Sequence, residues 1–464
     1  MDLSRHVERV RSPPVAFLVA AVVAAATLAT VPGGDVAWML SITVFCIALW
    51  ILTPIPPAYT GIIGIGLIAV AFSTDRALTG FQKPATWLIG FGLVMGETTR
   101  RSGLAAWAGD WITSRTLTAS TASRPVRTYR RLLVALALGA HALALLIPSA
   151  LVRILIIAPV LKETGTLFDS REARVGLFLG PVFATFYGSS GILTADLPNI
   201  MITGFGGSIA GHHVSWTEWL SHMYPVMGIT RVVLVCAIIY LLFRPDPDSS
   251  VELPAGTRDA ATSTERHMLA FLLVGAGIWA TDFVHGFHPV VGALAVVVLA
   301  LLPRVGVTDF GTVAEETDFS ILFFLAAVFA IGDGLAATGF TEDAASHLLE
   351  FVPTEAPLAV VLAVVFGITF ALAFLMEGLA VASVLTPILI PYAESAGLPL
   401  TPVLMSEAMA LSSYFFPYQS AVLVVILAEG TADTGEVIRT TVACSVATIL
   451  LLLPLQFGVF TLLY

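Results

Sequence analysis

Charge is scarce in these 464 residues: Asp, Glu, Lys and Arg make up 12% of the chain, against 57% hydrophobic residues. A soluble domain has no use for so much apolar surface, and apolar runs of about 18 residues or more recur along the whole length. Lysine is nearly absent, with only Lys83 and Lys162 against twenty arginines. The net charge of −10 comes from loops and points to neither a cationic partner nor a nucleic acid. Cysteine is rare too. Cys46, Cys236 and Cys444 sit inside apolar runs without CxxC spacing, and read as small hydrophobes rather than as disulfide or metal ligands. The chain has no HExxH, no P-loop and no GxSxG, and Gly204-Phe205-Gly206-Gly207 lacks a strand–helix nucleotide context. No nucleophile–base pair or cofactor motif appears, so an enzyme is not expected.

What is present is an all-α, polytopic membrane pattern. Apolar runs near 14–31, 36–53, 56–73, 84–99, 175–203, 224–243, 267–283, 288–302, 319–340, 401–428 and 441–463 predict eleven transmembrane helices. The basic start, Arg5 to Arg11 before Pro14–Val31, is read as a retained first helix rather than a signal peptide. Two further segments, 132–161 and 357–391, are interrupted at Ile147-Pro148-Ser149 and at Phe374-Leu375-Met376-Glu377-Gly378. From Ala150 to Leu161 is only about 18 Å of helix, short of a hydrocarbon core of about 30 Å. Each is therefore predicted to double back as a re-entrant helical hairpin with its tip near mid-membrane. Loop charge then alternates cleanly. Eighteen basic residues fall inside, from Arg5 to Arg439, and only Arg76 and Lys83 outside, while Arg153 and Arg231 lie in or at the edge of apolar runs. The N-terminus is expected in the cytoplasm and the C-terminus outside, in the cell's inner membrane, with 132–161 opening inside and 357–391 outside.

Met95-Gly96-Glu97-Thr98-Thr99-Arg100-Arg101-Ser102-Gly103-Leu104 and Ile331-Gly332-Asp333-Gly334-Leu335-Ala336-Ala337-Thr338-Gly339-Phe340 share Gly, acid and Gly at an offset of 236. With hairpins on opposite sides, this predicts an inverted repeat. The expected organisation is N-terminal scaffold helices over 1–83 and a first repeat over 84–244. A cytoplasmic linker over 245–267, further scaffold helices over 268–318 and a second repeat over 319–464 follow.

An ionised side chain at the bilayer centre is costly, so it usually marks a site. Ser149 and Arg153 share one face of the half-helix after Pro148, whose N–H groups and positive dipole end favour an anion. The Arg153 guanidinium either grips a carboxylate, sulfate or phosphate, or pairs structurally, or snorkels. Glu377 and Gly378 open the second half-helix, and Glu377 is a counter-ion, a proton carrier or a cation ligand. Two spans are interrupted as well. Gly188-Ser189-Ser190-Gly191-Ile192-Leu193-Thr194-Ala195-Asp196-Leu197-Pro198-Asn199 breaks the fifth, and Ser412 to Ser420, with Pro417 and Gln419, breaks the tenth. These free carbonyls for substrate or ions, or are plain proline kinks. His141 is a core histidine or a proton relay.

At these four places the chain resembles the divalent anion:sodium symporter family, which transports dicarboxylates, citrate and sulfate. That family carries Ser-Asn-Thr at each hairpin tip and a Thr-Pro-Pro-Asn-like motif at each break. Here Ser149-Ala150-Leu151 retains the serine, Glu377-Gly378-Leu379 replaces the second tip, Pro198-Asn199 persists, and Pro417 remains of the last motif. The resemblance implies a homodimer with an elevator-like transport domain, and Na+ sites built from tips and breaks. Carried over by position, Ser149, Ser189, Thr194, Asn199, Glu377 and Ser420 are binding candidates, joined by Arg153, Ser190, Gly378 and Gln419. Glu377, Asp196, Ser149 and Gly188 are the candidates for ion coupling. The reading is a secondary transporter of a small anion, coupled to sodium or protons. An arsenite or oxyanion permease of the same superfamily, or an anion channel, is the alternative.

Overall fold

The computed structural model describes residues 13–52, 55–117, 124–253, 260–351 and 356–464. Arg5, Arg9, Arg11 and Arg258, which entered the loop-charge reading, lie outside them. The described residues are helical and form no strand, only one isolated bridge between Phe168 and Val251. Helices α1 (Pro13–Thr30), α2 (Gly34–Leu52) and α3 (Pro57–Ala71) come first. Next are α4 (Pro84–Ser102), α5 (Leu104–Thr116), α6 (Pro125–Ala142), α7 (Ala150–Thr166), α8 (Arg171–Tyr187), α9 (Leu197–Ala210) and α10 (Trp216–Leu242). Helices α11 (Ser263–Ala280) and α12 (Val290–Ala300) follow. The last group is α13 (Ser320–Ala337), α14 (Phe340–Phe351), α15 (Leu358–Leu372), α16 (Gly378–Ser395), α17 (Leu400–Leu411), α18 (Ala421–Ala428) and α19 (Thr434–Leu463).

Six of these, α1, α2, α10, α13, α16 and α19, are long and apolar enough to cross a membrane. Helices α3, α12, α15 and α17 are apolar but shorter. The predicted runs lie close to helices; α5 and α14, absent from the hydropathy reading, are new. Both are too polar to stand out, and each follows a left-handed glycine, Gly103 at φ 77° and Gly339 at φ 83°. Those are equivalent positions of the 236-offset repeat. Only glycine adopts that backbone freely, so both helix pairs turn at the same place.

Side-chain contacts fix the direction of each arm. Gly176, Gly180 and Gly188 lie against Tyr129, Leu133 and His141 in turn, so α6 runs parallel to α8. Gly165 meets Arg174 while Arg153 meets Thr185, so α7 runs antiparallel to α8. Arms α6 and α7 are thus antiparallel about the turn 143–149. The second pair follows the same plan. Ser406 donates to the Leu362 carbonyl and Gln419 to that of Ala373, whereas Gly378 faces Leu411 and Thr386 faces Glu407. The arms of α15–α16 are therefore antiparallel as well.

Helices α4 and α13 also run opposite ways. Lys83 at the start of α4 pairs with Asp333 near the end of α13 at 2.6 Å. At the other end, Arg101 reaches Glu316, just before α13, at 2.7 Å. Gly92 and Gly96 of α4, a GxxxG pair, seat Pro148 and Val152 at the first tip. Small residues let helices approach closely where lipid offers no hydrophobic drive.

Helix α10 is held by a residue from the segment between α11 and α12. Buried Asp282 accepts from the backbone N–H groups of Trp216 and Thr217 and from the Thr217 hydroxyl. A carboxylate on unpaired N–H groups at a helix start also complements the dipole. Asp282→Ala is expected to cost about 2–3 kcal/mol of stability, since hydrogen bonds to a charged group are lost. Denaturant unfolding in detergent checks this; an unchanged midpoint would show that Ser215 and Glu218 cap the helix unaided.

Candidate functional site

The break between α8 and α9 forms because Asp196-Leu197-Pro198 restarts a helix, and proline fits its first turn. Two tight turns, Gly188–Gly191 and Leu193–Ala195, fill the gap. Added Cβ atoms at Gly188 and Gly191 would come within 2.6 Å of His141 and of the Gly228 backbone, so the break needs bare backbone there. Arg153, fully buried, spans this break and the first tip. Its Nε donates to Thr185 Oγ1 at 2.8 Å and its Nη1 to the carbonyls of Ile147 at 2.7 Å and Ala195 at 3.1 Å. Its Nη2 reaches the Thr185 carbonyl at 3.1 Å and the Ser189 hydroxyl. An arginine has five N–H donors, and here each has a protein acceptor. In this conformation Arg153 ties the first tip, the end of α8 and the break together, with no donor left over.

Arg231 is placed differently. It follows a π turn, Tyr224–Thr230, opened by Pro225, which cannot continue the ordinary hydrogen-bond ladder. Its Nη1 donates to Ser190 Oγ and Ser412 Oγ, both at 2.9 Å, and its Nη2 to the Ser412 carbonyl at 2.7 Å. The guanidinium lies 4.8 Å from the Tyr187 ring centroid. Its Nε–H is buried and has no partner. Arg231 therefore joins the two breaks and still has a donor unused.

The acids sit at helix starts. Asp196 is the N-cap of α9 without a side-chain capping bond, is nearly buried, and makes no ion pair among the described residues. Glu377 is the N-cap of α16, and its Oε2 accepts from the Leu379 N–H at 2.9 Å. The two carboxylates are within electrostatic reach of each other, and Asp196 of both arginines. Ser149 is the N-cap of α7 with a φ of 72°, rare outside glycine, and its hydroxyl makes no capping bond. Gly378 has neither a positive φ nor a tight neighbour, its nearest contact being Leu411 at 3.8 Å.

The other residues singled out in the sequence shape the breaks. Ser190 donates to the Tyr187 and Met227 carbonyls, and Thr194 accepts from the Trp216 indole at 3.1 Å. Asn199 donates to the Ile192 carbonyl at 3.1 Å, while its Oδ1 is buried without a donor. Gln419 closes the second break, accepting from Phe415 and Phe416 N–H and donating to Ala373 at the second tip. Ser420 caps α18 through the Val422 N–H. His141 stacks on Tyr224 at 5.7 Å and neither of its ring nitrogens makes a hydrogen bond. A continuous set of contacts thus runs from the first tip through Arg153, the first break, Arg231 and the second break to the second tip. Sequence reasoning missed Arg231 and Ser412 as site residues. The signal was available, since Arg231 interrupts an apolar run just as Arg153 does.

Comparison with known proteins agrees with this architecture. The family described as sodium:sulfate symporter transmembrane region matches residues 14–463. A protein of Cupriavidus necator described only as a membrane protein is 26% identical, over 69% of this chain and 65% of its own length. The L-tartrate/succinate antiporter of Escherichia coli K12 is 25% identical, over 90% of this chain and 91% of its own length. The YdaH transporter of Alcanivorax borkumensis has the same fold, with a TM-score of 0.56 at 14% identity, covering 93% of this chain and 99% of that one. With a helical fold of paired hairpins and breaks, and a family match from end to end, the chain belongs to the sodium:sulfate symporter family, the divalent anion:sodium symporters.

Proposed function

We propose that this protein is a secondary active transporter exchanging or importing a small dianion, with a dicarboxylate preferred over sulfate. The observation that carries the reading is the unpartnered Nε–H of buried Arg231, at the junction of the two breaks and within electrostatic reach of Asp196. A buried cation with a spare directional donor suits one carboxylate of the substrate. The relatives named L-tartrate/succinate antiporters support the dicarboxylate. Ser149, with its uncapped hydroxyl at the start of α7, supplies a second contact. Ser189, Ser190, Thr194, Gln419 and Ser420 shape the breaks around it, and Arg153 holds the first tip in register.

Coupling falls to a cation, sodium or a proton. Glu377 and Asp196 are the titratable groups, and the Oδ1 of Asn199 together with the backbone near Gly188 offers oxygen ligands to sodium. The repeats act as an elevator: the hairpins and breaks move as one body against the helices around α4 and α13, in a homodimer. The protein sits in the inner membrane with eleven spans, tips at mid-membrane, N-terminus inside and C-terminus outside, in keeping with the loop arginines.

Purified protein in liposomes tests this. Labelled succinate should enter saturably when unlabelled succinate or tartrate is inside, with sodium and pH gradients imposed separately to identify the coupling ion. Flux that stays linear with concentration would mean a channel. Uptake of arsenite or sulfate but of no dicarboxylate would mean another cargo.

A further inference from the structure

Glu407 takes no part in the site described above, yet no acid among the described residues is more enclosed. It lies on α17, and both its oxygens meet a single group, Thr386 Oγ1 of α16, at 2.9 and 3.0 Å. No cation pairs with it among the described residues. Helices α15 and α9, which pack on α17, carry no charged residue. On α16 the ionisable groups are Glu394, which is exposed, Tyr392, and Glu377 at the opposite end. His212 and Glu218 meet α17 only at Thr401. Asp333 of α13 is engaged by Lys83 and Ser208.

An ionised carboxylate with one hydroxyl neighbour and an apolar wall is strongly disfavoured, whereas a neutral acid can donate its O–H to that hydroxyl. The cover is built from elements of both repeats. Leu404 of α17 lies against Gly206 of α9, and Gly332 of α13 seats against Phe205 and Pro387, the residue after Thr386. Sliding of α16–α17 past α13 would open this cover to water.

We propose that Glu407 is a proton-binding site of the transport cycle, distinct from the tip acid Glu377. Its carboxylate takes a proton from water when the cover is open, holds it against Thr386 when closed, and returns it to water on the other side. This rests on the transporter reading above, and the test separates the two.

In liposomes, an inward proton gradient should stimulate labelled succinate uptake by the wild-type protein severalfold. Glu407→Gln, a neutral isostere, should keep succinate counterflow and lose the stimulation, and Thr386→Val should shift the pH at which stimulation appears. Glu407→Gln with wild-type stimulation overturns the proposal, as does a folded Glu407→Gln without counterflow, or a wild-type protein indifferent to the gradient. If Glu407→Gln does not fold, an unchanged pH profile in Thr386→Val overturns it. Thermal melting detects the same buried proton without any need for transport. The melting temperature of wild type relative to Glu407→Gln should fall as pH rises from about 5 to about 9, because a buried proton is then given up. A difference flat with pH overturns the proposal even where no succinate moves, an outcome that by itself counts only against the transporter reading.

Discussion

Arg231→Gln is expected to weaken dicarboxylate binding by roughly 10–10²-fold, seen as a matching rise in the KM of uptake. The size follows from losing the one hydrogen bond that the free Nε–H offers an ionised partner, about 1.5–3 kcal/mol. Apo stability should fall less, because the Ser190 and Ser412 hydroxyls also have backbone carbonyls to bond, those of Tyr187 and Met227 for Ser190 and that of Met409 for Ser412. Arg231→Lys should recover only part of the affinity, since an ammonium is a compact charge without the planar fork. Comparing KM with the melting temperature of ligand-free protein separates binding from folding. A variant with normal KM and a lowered melting temperature would assign Arg231 to holding the two breaks together and nothing more.

The second large effect concerns Arg153, and its cost in stability is far greater than that of removing a surface arginine. Removing it takes the side-chain donors from the carbonyls of Ile147 and Ala195, leaves that of Thr185 to the Ser189 hydroxyl alone, and deprives Asp196 of one of its two nearby cations. Breaking such a buried cluster costs about 3–5 kcal/mol. Arg153→Ala should therefore melt well below wild type and lose uptake through loss of the first tip's position. Arg153→Lys should fare little better, because three ammonium hydrogens cannot serve acceptors spread around a guanidinium. A folded Arg153→Gln with wild-type stability and a severe loss of substrate affinity would restore the alternative in which Arg153 grips the anion itself.

These two arginines mark the limit of what local sequence encodes. Both interrupt apolar runs, and hydropathy marks both as costly and therefore purposeful. What separates them is the count of acceptors each finds. Arg153 meets partners on the tip, on α8 and in the first break, 6 to 42 positions away, and Arg231 meets Ser412, 181 positions away. No local pattern encodes such a count. Glu407 is a plainer case. It sits one turn before Leu411 in an apolar run much like the others, and its solitude depends on helices α9 and α15 happening to present no charge.

Composition and spacing alone determined the all-helical membrane architecture, because a 57% apolar chain can satisfy its backbone in lipid only through helices or a closed barrel. They also located the two turns at Ser149 and Glu377, the two breaks, and the repeat marked by Gly103 and Gly339, since proline, glycine and a capping acid impose their backbone geometry locally. Tertiary structure alone decided which charge is spent and which is free, how closely Gly191 approaches Gly228, and that Asp282 holds the start of α10. The physical reason is one of range. Backbone preferences act over a few residues, while the worth of a buried charge is set by every dipole within a few ångströms, and in this fold those dipoles come from both halves of the chain.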